Sequence, residues 1–128
     1  MTESPRILIV AGYASQRNLI VRALKRHELR IELAANCEAA YRRLRDGRFE
    51  AVVIDLASSL DAIELIKRIR ATPEPGGTRV LVIGKWGTGQ PALALSHGAD
   101  AYEPAPIYER RLADSVERLL HHHAVVVE

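Results

Sequence analysis

The sequence lacks the features that indicate disulfide crosslinks, membrane anchoring or secretion. Its 128 residues include a single cysteine, so no internal disulfide can form. Its apolar runs reach only four or five residues, far short of the roughly 20 that a membrane-spanning helix needs. The polar first five residues lead directly into a strand-like run, so we expect no secretory leader. We therefore predict a soluble protein of a reducing compartment, located in the cytoplasm and without a membrane partner.

The sequence has neither a large net charge nor a high content of aromatic residues. Eighteen basic and sixteen acidic residues leave a net charge of +2, and aromatic residues make up 5% of the chain. This balance argues against nucleic acid as the general partner. The stretch from Arg17 to Arg48 is the one local exception, with nine basic against four acidic residues. We interpret it as the solvated faces of two helices, with docking of an acidic partner or RNA as the alternative.

What the sequence does have is a regular alternation of two hydrophobic patterns. Short apolar runs recur along the chain, and each is followed by apolar residues at helical spacing. The predicted strands are Ile7–Val10, Arg30–Ala34, Ala51–Ile54, Val80–Ile83 and residues 99–103. The predicted helices begin near Ser15, Asn36, Ser58 and Pro91, and the last one carries Leu112, Val116, Leu119 and Leu120. Such an order is typical of a parallel sheet with helices on both faces.

We therefore predict an α/β fold of the flavodoxin-like (βα)5 type, a doubly wound parallel sheet of five strands in the order 2-1-3-4-5. One domain is expected over residues 1–121, followed by a tail or the start of a linker over 122–128. In such sheets the functional site lies at the carboxyl ends of the strands. This narrows the search to residues 11–12, Asp55, Gly84 and residues 103–106.

At these places the chain resembles the receiver domain of bacterial two-component response regulators. The resemblance extends from about Arg6 to Leu120. It is carried by the runs Ile7–Val10 and Ala51–Leu56, and by Gly98–Tyr102 followed by Pro106. It implies a signalling module of a phosphorelay, which is not an enzyme in the ordinary sense.

The resemblance also implies a particular site, most of which is missing. In the family, an aspartate ending the third strand accepts a phosphoryl group, and an acidic pair ending the first strand helps it to bind Mg²⁺. A hydroxyl residue and a lysine bind the phosphoryl oxygens. Asp55 stands at the phosphoacceptor position. The other positions fall on Ala11 and Gly12 for the acidic pair, Gly84 for the hydroxyl residue and Ala105 for the lysine.

This combination predicts a pseudo-receiver, a receiver-like domain that acts through protein–protein interaction. We expect Mg²⁺ binding to be lost and no cofactor to be needed, because one carboxylate is too few to hold that ion. Lys85 and Glu103 are weak candidates for replacing the missing groups, and His121–His123 is interpreted as a helix end rather than a metal site. Two alternatives stay open: a genuine phospho-accepting receiver that uses Asp55, and a small-ligand-binding domain that uses the emptied pocket.

The predicted interaction surface includes an aromatic residue that couples to the site in the resembled family. Tyr102 occupies that position, and Tyr108 follows it. With no side chain at Gly84, we expect Tyr102 to hold one orientation, with space left near its ring. The partner is predicted to be a signalling protein or a second copy of the chain, docked on the fourth helix, fifth strand and fifth helix.

Overall fold

The computed structural model describes residues 4–25, 28–56, 62–71, 77–85 and 89–121. Strands and helices alternate throughout these residues. The strands are β1 (Arg6–Val10), β2 (Arg30–Ala34), β3 (Ala51–Asp55), β4 (Arg79–Gly84) and β5 (Ala101–Pro104). The helices are α1 (Ala14–Leu24), α2 (Cys37–Asp46), α3 (Ala62–Ala71), α4 (Gln90–Ser96) and α5 (Glu109–His121).

All five strands belong to one parallel sheet in the order β2-β1-β3-β4-β5. This confirms the predicted doubly wound fold. The central strand β3 is buried along its whole length, as a strand covered by helices on both faces should be. No helix in the described part of the chain is both long and apolar enough to cross a membrane.

Alternate residues of each strand enter two separate hydrophobic layers, because neighbouring side chains of a strand point to opposite faces. Leu8 and Val10 of β1 are buried with side chains of α2, α3 and α4. Ile7 and Ile9 are buried on the other face, with side chains of α1 and α5. The helices therefore lie three on one face and two on the other.

Local capping agrees with the sequence in some places and not in others. Asn36 caps α2, since its side chain accepts a hydrogen bond of 2.8 Å from the Ala39 amide. Ser15 does not cap α1, as the sequence had suggested: α1 begins at Ala14, and Tyr13 at the N-cap position makes no side-chain capping bond. The capping pair Ser58 and Asp61 lies outside the described residues, as does the predicted tail over 122–128.

The fifth strand begins at Ala101, two residues later than predicted. Ala99 is still part of the turn that closes α4, because its amide donates to the Ala94 carbonyl at 3.0 Å. Gly98, at the C′ position after the His97 cap, has φ of +116°, which is the glycine termination expected there. The chain therefore enters the sheet only after this turn.

At the amino-terminal edge of the sheet, Arg6 joins β1 to its neighbours. Its guanidinium lies 4.3 Å from the centre of the Phe49 ring and donates to Glu32 at 2.7 and 3.1 Å. Arg43 donates to the same carboxylate at 2.8 Å. The hydrogen bonds from Arg6, with the charges of Arg6 and Arg43, hold the pKa of Glu32 below its ordinary value, although partial burial opposes them.

This lowered pKa predicts a contribution of Glu32 to acid resistance. A carboxyl group whose pKa is lower in the folded state stabilises the fold above its unfolded-state pKa, and that contribution is lost as the pH falls through the folded-state value. Glu32→Gln should therefore flatten the loss of stability below about pH 4.5. Urea unfolding at a series of pH values measures this, with Glu28→Gln, an exposed glutamate before β2, as the control. The prediction is contradicted if Glu32→Gln leaves the fall in the free energy of unfolding at acidic pH unchanged.

Candidate functional site

The carboxyl edge of the sheet brings together every position at which the resemblance placed a functional residue. Asp55 and Gly84 are the last residues of the neighbouring strands β3 and β4. Ala11 and Ala105 each come directly after a strand at the same edge. The site is therefore assembled in space as the order of strands requires, and its chemistry depends on which side chains it contains.

The end of β1 supplies no carboxylate. Ala11 is buried and belongs to the apolar layer beneath α1 and α5, and its amide donates to the Ala34 carbonyl at 3.1 Å. Gly12 is exposed and has no side chain. Across the described ranges, no group of three or more His, Cys, Asp or Glu side chains is placed to hold a metal ion. Mg²⁺ takes oxygen ligands, and Asp55 is the carboxylate that the five carried-over positions offer.

A positive charge lies next to Ala11, one of the two positions at which the resemblance placed an acidic pair. The Arg17 guanidinium, in the first turns of α1, is 3.4 Å from the Ala11 carbonyl oxygen. In the sequence, Arg17 stands out only as part of a basic stretch. Its place seven residues after the end of β1 could have shown its proximity, because the start of the helix after a parallel strand faces the carboxyl edge. A guanidinium here disfavours a bound cation.

Asp55 is almost fully buried, with 1% of its surface exposed. In register it pairs with Ile83 of β4, and it lies within a strand whose other members are all apolar. A carboxylate in such a setting has a high cost of desolvation. It is the one carboxylate among the five positions that the resemblance carried over.

Tyr102 fills the space next to Gly84. A Cβ atom added at Gly84 would overlap the Tyr102 hydroxyl oxygen and would lie 3.0 Å from both Cζ of that ring and Cδ1 of Leu56. The hydroxyl is within hydrogen-bonding distance of the Lys85 carbonyl (3.2 Å) and of Gln90 Oε1 (3.4 Å). Burial raises the pKa of the Tyr102 hydroxyl. The expectation of free space between Gly84 and the Tyr102 ring is therefore wrong, because the ring packs directly against Gly84.

The two candidates for replacing missing groups are not equivalent. Lys85 is exposed and directly follows Gly84. Glu103 points to the other face of β5, where it is 8% exposed. There it accepts a hydrogen bond from the Ser115 hydroxyl at 2.9 Å and lies 3.2 Å from the Arg111 guanidinium. Glu103 therefore ties β5 to α5 and is not part of the carboxyl-edge site.

The predicted interaction residues differ in exposure. Tyr108 is 58% exposed, and the Arg111 guanidinium lies 4.9 Å from its ring centre. Tyr102 is half-buried over Gly84. Leu93 and Leu95 of α4 are 48% and 47% exposed. Apolar side chains of α4 are therefore available to a partner, whereas much of the Tyr102 ring is covered by its own domain.

Comparison with known sequences and structures gives two different outcomes. No family model matches the chain, and no curated protein matches it. Solved structures do match over nearly its whole length. A signal receiver domain from Bermanella marisrubri is 27% identical, with a TM-score of 0.82 over 93% of this chain and 100% of that one.

Two further structures have the same architecture. A chemotaxis response regulator of Vibrio cholerae is 20% identical, with a TM-score of 0.83 over 93% of this chain and 100% of its own. The receiver domain of a signal transduction histidine kinase from Syntrophus aciditrophicus is 22% identical, with a TM-score of 0.83 over 98% and 96% of the two chains. The chain therefore has the fold of receiver domains.

Proposed function

We propose that this chain is a pseudo-receiver, a signalling domain of the receiver type that acts by binding another protein and not by metal-dependent phosphoryl transfer. The observation that carries the proposal is the position of Tyr102, whose hydroxyl occupies the place of a side chain at residue 84. In a phospho-accepting receiver, that place belongs to the hydroxyl residue that binds the phosphoryl group. Here the two cannot be present together without a shift of the ring.

The rest of the site supports the same proposal. Phosphoryl transfer is catalysed mainly by positioning and by neutralising charge, for which receivers use Mg²⁺ and a lysine. Ala11 and Gly12 provide no metal-binding carboxylate, and Ala105 provides no ammonium group. Conformational switching requires a ligand that binds one state more tightly than the other. Without the metal-binding carboxylates and the ammonium group, a phosphoryl group on Asp55 would make few contacts that differ between two conformational states.

A phospho-accepting receiver is the second candidate, and Asp55 is the observation that favours it. Asp55 retains both its position at the end of β3 and its place between the ends of β1 and β4. A different source of positive charge would then be needed, and Arg17 and Lys85 are basic residues close to the carboxyl ends of β1 and β4. The two candidates differ in their response to a phosphoryl analogue.

Magnesium with beryllofluoride is therefore expected to leave the protein unchanged. At millimolar Mg²⁺, neither the fluorescence of Trp86, the one tryptophan, nor the NMR signals of the tyrosine rings should show a saturable change. Trp86 itself lies outside the described residues, two positions after Gly84. Asp55→Asn is the control. A saturable response in the wild type that disappears in Asp55→Asn would instead establish the phospho-accepting receiver.

We place the partner-binding surface on α4, β5 and α5. Tyr108, Leu93 and Leu95 supply exposed apolar area there, and aromatic residues commonly anchor interfaces. Because Tyr102 packs beside Gln90 at the start of α4, its ring also shapes this surface. The partner is a signalling protein or a second copy of the chain.

Truncating the aromatic residues should therefore affect association more than removing the Asp55 charge. Tyr102→Ala and Tyr108→Ala are expected to weaken self-association or partner binding by about tenfold or more, the effect of losing about 1.4 kcal/mol of binding energy. Asp55→Asn should change it less than about twofold. Sedimentation velocity measures self-association, and calorimetry measures binding of a purified partner. Equal effects of the tyrosine and Asp55 substitutions would contradict this placement.

A further inference from the structure

A cavity of about 310 Å³ opens between α2 and α3, at the amino-terminal edge of the sheet. Tyr41, Leu44 and Ile69 form its apolar side. Gly47 and Thr78, which precede β3 and β4, complete its wall. Strands of five residues separate this edge from the carboxyl edge by about 17 Å. The cavity is therefore distinct from the site around Asp55.

Among the residues that the structure describes, every charged side chain lining this cavity is an arginine. The three are Arg45, Arg48 and Arg68, and we call the space the arginine cavity. In the part of the chain that the structure describes, neither Arg45 nor Arg48 forms an ion pair with a carboxylate. Arg68 lies 3.8 Å from Glu64 and 3.9 Å from Glu38, so its charge is partly balanced.

Neighbouring arginines that do not line the cavity have carboxylate partners. Arg42 is 4.0 Å from Glu38, and Arg43 is 2.8 Å from Glu32. The basic excess seen in the sequence is therefore not spread evenly over α2. Arg45 and Arg48, which have no carboxylate partner among the described residues, both line the arginine cavity.

Two of these guanidinium groups lie next to the Tyr41 ring. The Arg68 guanidinium lies 4.8 Å from the ring centre, and that of Arg45 lies 5.9 Å from it. Cation–π attraction favours both positions, whereas the like charges repel. An anion bound in the cavity would reduce the repulsion among the three arginines that line it. Guanidinium groups offer planar pairs of donors that match the oxygens of phosphate.

We propose that the arginine cavity binds an organic phosphate. Arg45 and Arg48 would hold the phosphate group, and Leu44 and Ile69 would contact a ring-sized apolar body. The volume is at the lower end of the roughly 300–1,000 Å³ typical of small-molecule sites. This size and this combination of charge and apolar surface fit a nucleoside monophosphate.

The first experiment asks whether both parts of such a ligand are needed. Calorimetry and amide NMR titrations are carried out with AMP, GMP, CMP and UMP, with the matching nucleosides and with inorganic phosphate. At least one nucleotide should bind with a dissociation constant of about 1 mM or lower, and its nucleoside and inorganic phosphate should each bind about tenfold more weakly. If no nucleotide binds, or if phosphate alone binds as tightly, the proposal is wrong.

The second experiment locates the binding. Arg45→Gln and Arg48→Gln should each weaken nucleotide binding by about tenfold, since each removes a charged partner of the phosphate. Arg42→Gln is the matched control: it removes the same charge from α2, the helix that carries Arg45, but Arg42 does not line the cavity, and its loss should change binding less than about twofold. All three arginines are exposed, so the variants should fold.

Two outcomes of these experiments would overturn the proposal. Equal weakening by Arg42→Gln would show that only the general charge of α2 matters. Binding of heparin or poly-uridylic acid without binding of any mononucleotide would show an electrostatic surface for long polyanions instead of a small-molecule site. Neither outcome bears on whether the carboxyl-edge site accepts a phosphoryl group.

Discussion

Replacing Gly84 with alanine is expected to lower the free energy of unfolding by about 2 kcal/mol, in the range seen for overpacked interiors. The added Cβ would overlap the Tyr102 hydroxyl oxygen and approach Leu56 Cδ1 to 3.0 Å. Gly84 does not have a positive φ angle, so alanine suits the backbone and the cost arises from these contacts. The ring must therefore move outward. Chemical denaturation measures the loss of stability.

The titration of Tyr102 gives an independent measure of the same movement. Burial raises the pKa of this hydroxyl in the wild type. In Gly84→Ala, the displaced ring should be better solvated, and its pKa should fall toward the ordinary tyrosine value. An NMR titration of ring carbons resolves the four tyrosines of the chain, and the other three serve as internal controls.

A double-mutant cycle tests whether the ring is the cause. In a Tyr102→Ala background, Gly84→Ala should cost about half as much or less, because only the Leu56 contact remains. A coupling energy of about 1 kcal/mol or more between the two positions is expected. Additive effects would show that Tyr102 does not occupy the space beside Gly84, and they would remove the main support for the pseudo-receiver proposal.

The fold was predictable because each of its main determinants is local in the sequence. The alternation of apolar strands with helical stripes gives the element order, and right-handed crossovers then leave few sheet topologies. The errors lie at the ends of helices and strands, where a single contact decides which residue begins or ends the element. Ser15 was expected at the N-cap of α1, but the N-cap is Tyr13, so the helix begins two residues earlier than that expectation.

The positions of the site were predictable for the same reason, but their packing was not. Sequence order locates Gly84 at a strand end, where it was interpreted as a missing hydroxyl. That a ring 18 residues later fills the space depends on how β4 and β5 pair, with Val82 opposite Tyr102 and Gly84 opposite Pro104. Arg17 was missed because its role depends on a contact with a backbone carbonyl, which no side-chain motif records.

The segment Gly98–Tyr102, which carries part of the resemblance, holds the start of β5 in place through contacts with Arg70 and Val80. Gly98 places its carbonyl oxygen 2.8 Å from Nε of Arg70, and a Cβ at Gly98 would lie 2.8 Å from Cγ of the same arginine. Asp100 accepts hydrogen bonds from the Arg70 guanidinium at 2.5 Å and from the Val80 amide at 2.7 Å. The Asp100 amide in turn donates to the Val80 carbonyl at 2.8 Å. This segment thus fixes the entry into β5.

Replacing Arg70 with alanine should consequently lower the free energy of unfolding by about 2 kcal/mol. The guanidinium also donates to the Thr78 carbonyl at 2.6 Å, so one side chain links the end of α3, the start of β4 and the turn before β5. Charged hydrogen bonds contribute roughly 1.5–3 kcal/mol each when buried, but water replaces part of this at a side chain that is 32% exposed. Thermal and urea denaturation measure the loss.

The same substitution at a neighbouring position separates the hydrogen bonds from helix propensity. Lys67→Ala removes an exposed cation from α3 and should change stability by less than about 0.5 kcal/mol. Arg70→Lys keeps the charge, but its three donors are on a single nitrogen and cannot match acceptors that Nε, Nη1 and Nη2 of the arginine reach separately, so it should recover only part of the loss. A cycle with Asp100→Ala should give a coupling energy of about 1 kcal/mol. Full recovery by lysine would show that only the charge matters, and that the forked geometry of Arg70 does not stabilise this corner of the sheet.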